Sequence, residues 1–200
     1  MFWIKHIDLE NADKELKKIY SRVKGPKNNV DNILMIHSLR PHTLQGHMGL
    51  YKNVLHHANN QLPKWYLETI GVYVSHLNSC PYCVEHHFEG LKRLLNDEEK
   101  AQTIYQGILE DRFTGFLTPK ELTGIEYAKM LTLSPGQVDK KHIDLMKKEG
   151  HTDGEILEVN QVVSYFNYAN RTVLGLGVHT EGDLLGLSPS SSDDKNWMHK

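Results

Sequence analysis

Apolar residues recur along this chain with the period of an α-helix. Leu67, Ile70, Val74 and Leu77 fall at i, i+3, i+7 and i+10; Leu91, Leu94 and Leu95 continue the pattern in the next segment. Ile156, Val159, Val162, Val163 and Phe166 form another stripe, and each stripe reads as the core face of a helix. Start signals agree with the periodicity. Thr118-Pro119-Lys120-Glu121 is a capping box with proline at the first helical position. Ser134 with Gln137, Asn96 with Glu99, and Thr152 with Glu155 repeat the device. The pattern predicts helices near 12–24, 29–39, 42–58, 63–77, 81–95, 97–110, 119–132, 136–149 and 153–172. It holds no hairpin or βαβ signal and no internal repeat, so the fold class is all-α.

Length and composition narrow the picture. Two hundred residues suit one domain, taken as 1–187, with a redox core at about 33–110. The segment up to about residue 60 is expected to wrap the core or a neighbouring subunit. The tail 188–200, with Ser188-Pro189-Ser190-Ser191-Ser192-Asp193-Asp194, is predicted to be mobile. The hydrophobic content of 39% and charged content of 24% are those of an ordinary globular protein. A formal charge of −2 argues against a nucleic-acid partner, and the lysine pairs (17–18, 140–141, 147–148) are scattered rather than clustered. No stretch approaches the ~20 apolar residues of a membrane span. Residues 1–8 carry no apolar run of signal-peptide length, so the expected compartment is the cytoplasm.

In that compartment thiols stay reduced, and a lone Cys-x-x-Cys points to chemistry or metal rather than to a structural staple. The only cysteines are Cys80 and Cys83, in Cys80-Pro81-Tyr82-Cys83. With Cys80 as a helix cap and Pro81 at the first helical position, both sulfurs lie near amide dipoles that favour a thiolate. Cys83 and His87 stand at i and i+4 on one face, so the imidazole can take the Cys83 proton or hold its thiolate. The short connection Asn78-Ser79 makes the two flanking helices antiparallel. Folding about it sets Glu68 opposite roughly position 89, about 3 Å along the axis from His87 at ~1.5 Å per residue. Carboxylate, imidazole and thiol then form a relay with the logic of a catalytic triad. His86 is read as surface or interface, and His56-His57 as a polar helix face; His37, His42, His47 and His76 have no metal spacing.

Other readings of the two thiols are weaker. Cys-Pro-Tyr-Cys also occurs in glutaredoxins, but the βαβ context and the later proline before a strand are missing. A c-type haem needs histidine directly after the second cysteine, where Val84 stands. Zinc on Cys80, Cys83, His87 and a fourth ligand is the metal alternative, although His87 is badly placed to converge with both sulfurs on one helix.

The spacing Glu68, eleven residues, Cys80-x-x-Cys83, three residues, His87 resembles the signature of the alkylhydroperoxidase AhpD-like proteins of the carboxymuconolactone decarboxylase superfamily. The runs 78–87 (Asn-Ser-Cys-Pro-Tyr-Cys-Val-Glu-His-His), 37–41 (His-Ser-Leu-Arg-Pro) and 166–171 (Phe-Asn-Tyr-Ala-Asn-Arg) resemble its peroxidase-related branch. The resemblance implies an AhpD-like helical bundle, here with an N-terminal helical extension, assembled as a homo-oligomer, trimer-based, hexameric or dimeric. It implies a peroxidase with no haem, metal or other cofactor. Cys83 would be the peroxidatic cysteine, Cys80 the resolving one, and Glu68 and His87 the proton relay, with an external dithiol of lipoyl or thioredoxin type as reductant. Tyr82 departs from the pattern, since the best-known AhpD proteins have histidine there. The apolar surroundings suit organic hydroperoxides. Two alternatives stay open: a non-catalytic thiol-disulfide sensor or binding protein, and a decarboxylase, although decarboxylase members generally lack paired thiols.

Overall fold

The computed structural model describes residues 2–188. Among them the chain forms nine α-helices and no strand. They are α1 (Lys14–Val23), α2 (Asn32–Met35), α3 (Pro41–Tyr51), α4 (Lys64–Leu77), α5 (Pro81–Leu95), α6 (Glu98–Leu109), α7 (Pro119–Leu133), α8 (Lys140–Lys148) and α9 (Asp153–Leu176). Two shorter pieces complete the path: a π-helical turn, Lys52–His56, continues α3, and a 3₁₀ turn, Pro135–Gln137, precedes α8.

The capping boxes at Thr118 and Thr152 are both formed. Two other expected starts are not. Asn96 ends α5 in a left-handed conformation, and Asp97 caps α6 instead, accepting from the Lys100 amide. Asparagine tolerates the left-handed region, so it closes one helix and leaves the next cap to its neighbour. Ser134 makes no capping hydrogen bond; α8 begins at Lys140, capped by Asp139, so the helix expected over 136–149 is split. The helix expected over 29–39 shrinks to the single turn of α2, followed by turns up to Pro41. Proline disfavours helical backbone in the residue before it, and Arg40 is accordingly extended in φ, at −143°.

α4 is the central rod. Every residue from Tyr66 to Ser75 is buried, and α5, α6, α7 and α9 pack around it. A helix apolar on all sides belongs inside. α9 packs tightly on α4 at Gly71, where an added Cβ would stand 2.2 Å from the Phe166 ring. Gly71→Ala is therefore expected to destabilise the protein by about 1–3 kcal/mol through overpacking, read as a lower urea midpoint at unchanged slope.

α4 and α5 form an antiparallel hairpin through a tight turn. Ser79 takes a left-handed φ of 54°, and the Cys80 amide donates back to the Ser75 carbonyl at 2.9 Å. The N-terminal segment lies on its own chain. Leu16, Ile19, Tyr20 and Val23 enter the main core, the Tyr20 hydroxyl donates to the Ile7 carbonyl at 2.6 Å, and the Ile7 amide donates to Ser38 Oγ at 2.8 Å. At the other end Gly177 breaks α9, and the following residues cross back over α5 as a strap. Gly186, at φ 74°, is where that strap presses on α5: a Cβ there would meet the Glu89 Cβ at 2.7 Å. Arg93 Nη1 holds the Gly186 carbonyl at 3.0 Å. The tail predicted to be mobile lies, beyond Ser188, outside the described residues. Among the described residues no helix is long and apolar enough to cross a membrane.

Candidate active site

The α4–α5 hairpin sets the geometry. Cys80 is the N-cap of α5 with Pro81 at the first helical position, which needs no amide hydrogen. Glu68, on α4, meets His87, on α5, with Oε2 2.7 Å from Nδ1. Gly90 lies beside the carboxylate, at a distance where an added Cβ would make an ordinary van der Waals contact with it, 4.0 Å. Glu68, Cys83 and His87 line one pocket of about 550 Å³, counting its open mouth, together with Ile33, Leu34, Met48, Tyr51, Tyr82 and Tyr165. Both cysteines are free and buried. Only Cys83 reaches the pocket; Cys80 is fully enclosed behind it, beside Ile36, Val173 and Val178.

Glu68 is 3% exposed. Burial alone would raise its carboxyl, but the charge of His87, the hydrogen bond from His87 and the charge of His56 together hold it below the ordinary carboxylate range. An ionised Glu68 accepts only, so His87 carries its proton on Nδ1 and leaves Nε2 as the basic nitrogen. Phe166 (4.6 Å between centroids) packs edge-on against the imidazole.

The thiol pair is asymmetric, and not in the expected direction. Helix-terminus reasoning favours a thiolate at either sulfur, and the spacing to His87 favours it on Cys83. In the structure the hydrogen bond from the Cys83 side chain lowers Cys80 despite burial, with Asn170 helping. The Cys83 amide falls short of a full capping bond to Cys80, yet its field acts in the same sense. Cys83 is pushed well above the ordinary thiol range by that shared hydrogen bond, by burial and by the neighbouring Cys80 charge. The hydrogen bond between the two sulfurs, more than the cap position, therefore favours a charge on the inner sulfur and makes the pocket-facing one the harder to ionise. Cys83 becomes a nucleophile only when a base removes its proton. Among the described residues no hydrogen bond joins His87 to Cys83, one turn away.

A second polar group stands in the same pocket. Tyr82 Oη donates to Asp183 Oδ2 at 2.7 Å and accepts from the Ile33 amide at 3.1 Å. His86 Nε2 also lies on Asp183 Oδ2, at 3.2 Å. The Asn32 amide completes the carboxylate's partners at 3.0 and 3.1 Å, and the Asn32 side chain binds the carbonyls of His179 and Glu181. Burial first, then the charges of Asp183 and Asp31, keep the Tyr82 hydroxyl protonated, so it remains a donor.

Three residues that spacing alone does not mark as site residues sit at this site. His86, expected at the surface or an interface, has a side chain only 11% exposed and is fixed by Asp183 within its own chain. His56, expected on a polar helix face, lies buried at the end of the π-helical turn, with Nε2 4.0 Å from Glu68 Oε1. π-Helical turns often occur at functional sites. Asn170, fully buried, accepts from Asn78 at 2.9 Å, donates to Ser75 Oγ at 3.0 Å and supports both sulfurs. Only Asn170 left a sequence trace, within the run 166–171; Asp183 is 97 positions from His86 and left none. Among the described residues no group of three or more His, Cys, Asp and Glu side chains is arranged to hold a metal ion.

No family model matches the chain, and no curated protein matches it in sequence. Solved structures do match in shape. The alkylhydroperoxidase AhpD core of an uncharacterized peroxidase-related protein from Ralstonia eutropha JMP134 superposes with a TM-score of 0.76 at 18% identity, over 89% of this chain and 91% of that one. The fold is AhpD-like. An uncharacterized peroxidase-related protein from Silicibacter sp. TM1040 gives 0.66 at 21% identity, over 75% and 76% of the two chains. The debrominase Bmp8 gives 0.69 at 16% identity, over 87% and 89%. In this AhpD-like chain the hairpin carries the glutamate, histidine and both thiols, and α9 supplies Asn170 from behind.

Proposed function

We propose that this protein is a thiol peroxidase, free of haem and metal, that reduces a hydroperoxide through a Cys80–Cys83 dithiol/disulfide cycle. AhpD-like folds include a debrominase, so the fold alone selects no substrate. The observation that carries the reading is the Glu68–His87 pair at 2.7 Å in the same pocket as Cys83, with Cys80 sealed behind it.

Ionised Glu68 holds His87 with Nε2 as acceptor, and His87, directly or through one water, takes the proton of Cys83. The Cys83 thiolate attacks the terminal oxygen of R–O–OH. The O–O bond breaks, sulfur gains OH as sulfenic acid, and the alkoxide leaves and is protonated to ROH. The Cys80 thiol then attacks the sulfenic sulfur; the S–S bond forms as the S–O bond breaks, and the Cys80 proton joins the departing hydroxide as water. An external dithiol restores both thiols by exchange. Ile33, Leu34, Met48 and the tyrosines of the pocket favour hydroperoxides with an apolar group.

The test is steady-state consumption of tert-butyl hydroperoxide and of hydrogen peroxide, with dihydrolipoamide or a thioredoxin system as donor. Turnover is expected to exceed that of the free donor by orders of magnitude and to favour the organic peroxide. Turnover no faster than the free donor would leave the site as a thiol-disulfide sensor.

A further inference from the structure

Two histidines lie side by side in sequence, and each is held by a carboxylate from a different part of the chain. His87 is bound through Nδ1 to Glu68 on α4, and His86 through Nε2 to Asp183 on the C-terminal strap. Both imidazoles line the pocket that Cys83 faces. The two carboxylates are not interchangeable. Glu68 sits inside the bundle between His87 and His56. Asp183 is tied to Tyr82 and to the Asn32 amide, and Asp31 lines the pocket nearby. Tyr82 stands between the two cysteines in sequence and ties the second pair to the thiol loop. The residue that departs from the AhpD pattern thus supports a second acid–base pair rather than leaving a gap.

Peroxide cleavage calls for two opposite proton transfers. The thiol must lose a proton before attack, and the departing alkoxide must gain one as the O–O bond breaks. A single histidine can serve both only by relaying one proton across the nucleophile. Two histidines on separate carboxylates divide the work, as paired groups in distinct environments do at acid–base sites.

We infer that His86, held by Asp183, is the general acid that protonates the alkoxide leaving group, while His87, held by Glu68, is the base for Cys83. The inference rests on the peroxidase reading above. The protons balance: Cys83 gives one to His87, the His86 imidazolium gives one to RO⁻, and the proton left on His87 returns to His86 through solvent after the disulfide forms. The sum is two thiols plus ROOH giving one disulfide, ROH and water.

A leaving group that needs no proton isolates the step. Peracetic acid departs as acetate, a weak base; tert-butyl hydroperoxide departs as an alkoxide, a strong one. The experiment is stopped-flow oxidation of the fully reduced, full-length protein by each oxidant, without external donor. His86→Gln is expected to slow the tert-butyl hydroperoxide reaction about a hundredfold, the lower range for loss of a general acid, and to leave the peracetic acid reaction within about threefold. Asp183→Asn is expected to move the same ratio in the same direction by a smaller factor, and thermal melts show whether either change unfolds the strap. Equal losses with both oxidants, or no loss with either, overturn the assignment of His86. Wild type that reacts with neither oxidant faster than free dithiol overturns the peroxidase reading, and this assignment with it.

Discussion

Cys83→Ser is expected to consume no peroxide above the uncatalysed rate, while Cys80→Ser is expected to react once and stop. Cys83 is the sulfur that reaches the pocket, and serine at neutral pH is no substitute for a thiolate toward an O–O bond. The Cys80 variant should stall as Cys83 sulfenic acid, because the resolving thiol is gone; intact mass should show one added oxygen, removable by a dithiol. A subtler consequence follows from the charge asymmetry. The shared hydrogen bond with Cys80 is the largest cause of the raised Cys83 thiol, and repulsion from the Cys80 charge adds to it. Without that sulfur, Cys83 in the Cys80→Ser protein should alkylate at lower pH than in wild type. Alkylation at the same or higher pH would mean that burial alone governs Cys83. Full peroxide turnover by Cys83→Ser would exchange the roles of the two cysteines.

Glu68→Gln should cost about a hundredfold or more in the rate of the first oxidation, the range for a disabled general base. Glutamine fills the same space. Its amide can present oxygen to His87, but it brings no charge to sustain an imidazolium in a buried site. The pH at which Cys83 alkylates should rise, and an unchanged alkylation profile would remove Glu68 from the relay. The same substitution tests stability. Glu68 is held below the ordinary carboxylate range in the folded state, so the native state binds its proton less readily than the unfolded chain does. Its contribution is therefore present above the unfolded carboxylate pKa and is lost as pH falls through the depressed native value. Wild type should lose thermal stability on acidification through that window, and Glu68→Gln should lose less. Parallel acid limbs for the two proteins would show that Glu68 does not titrate differently on folding.

Local rules placed much of the helical frame because they act within a few residues. Thr118 and Thr152 meet their partners three positions on, and the α4–α5 hairpin follows from a two-residue connection. They failed where two rules competed. Asn96 can start or end a helix, and its tolerance of left-handed backbone decided for ending. Periodicity carried through Lys52–His56, but the helix widened to a π-turn there, which no apolar spacing announces. His56, buried beside Glu68, ends that turn.

The sequence by itself determined the class of the fold and placed the four candidate groups on one helical hairpin. Helical period, caps and the spacings between Glu68, Cys80, Cys83 and His87 are all short-range, and a hairpin of two rigid rods leaves little freedom in how those four side chains meet. Tertiary structure alone decided which sulfur reaches the pocket and that His86 is held in a pair of its own. The His86 pair depends on Asp183, 97 positions away on the strap, while Asn170, from α9, supports both sulfurs alike. Electrostatics in a buried site is set by whatever stands within a few ångströms, and nothing in the order of residues along the chain records that distance.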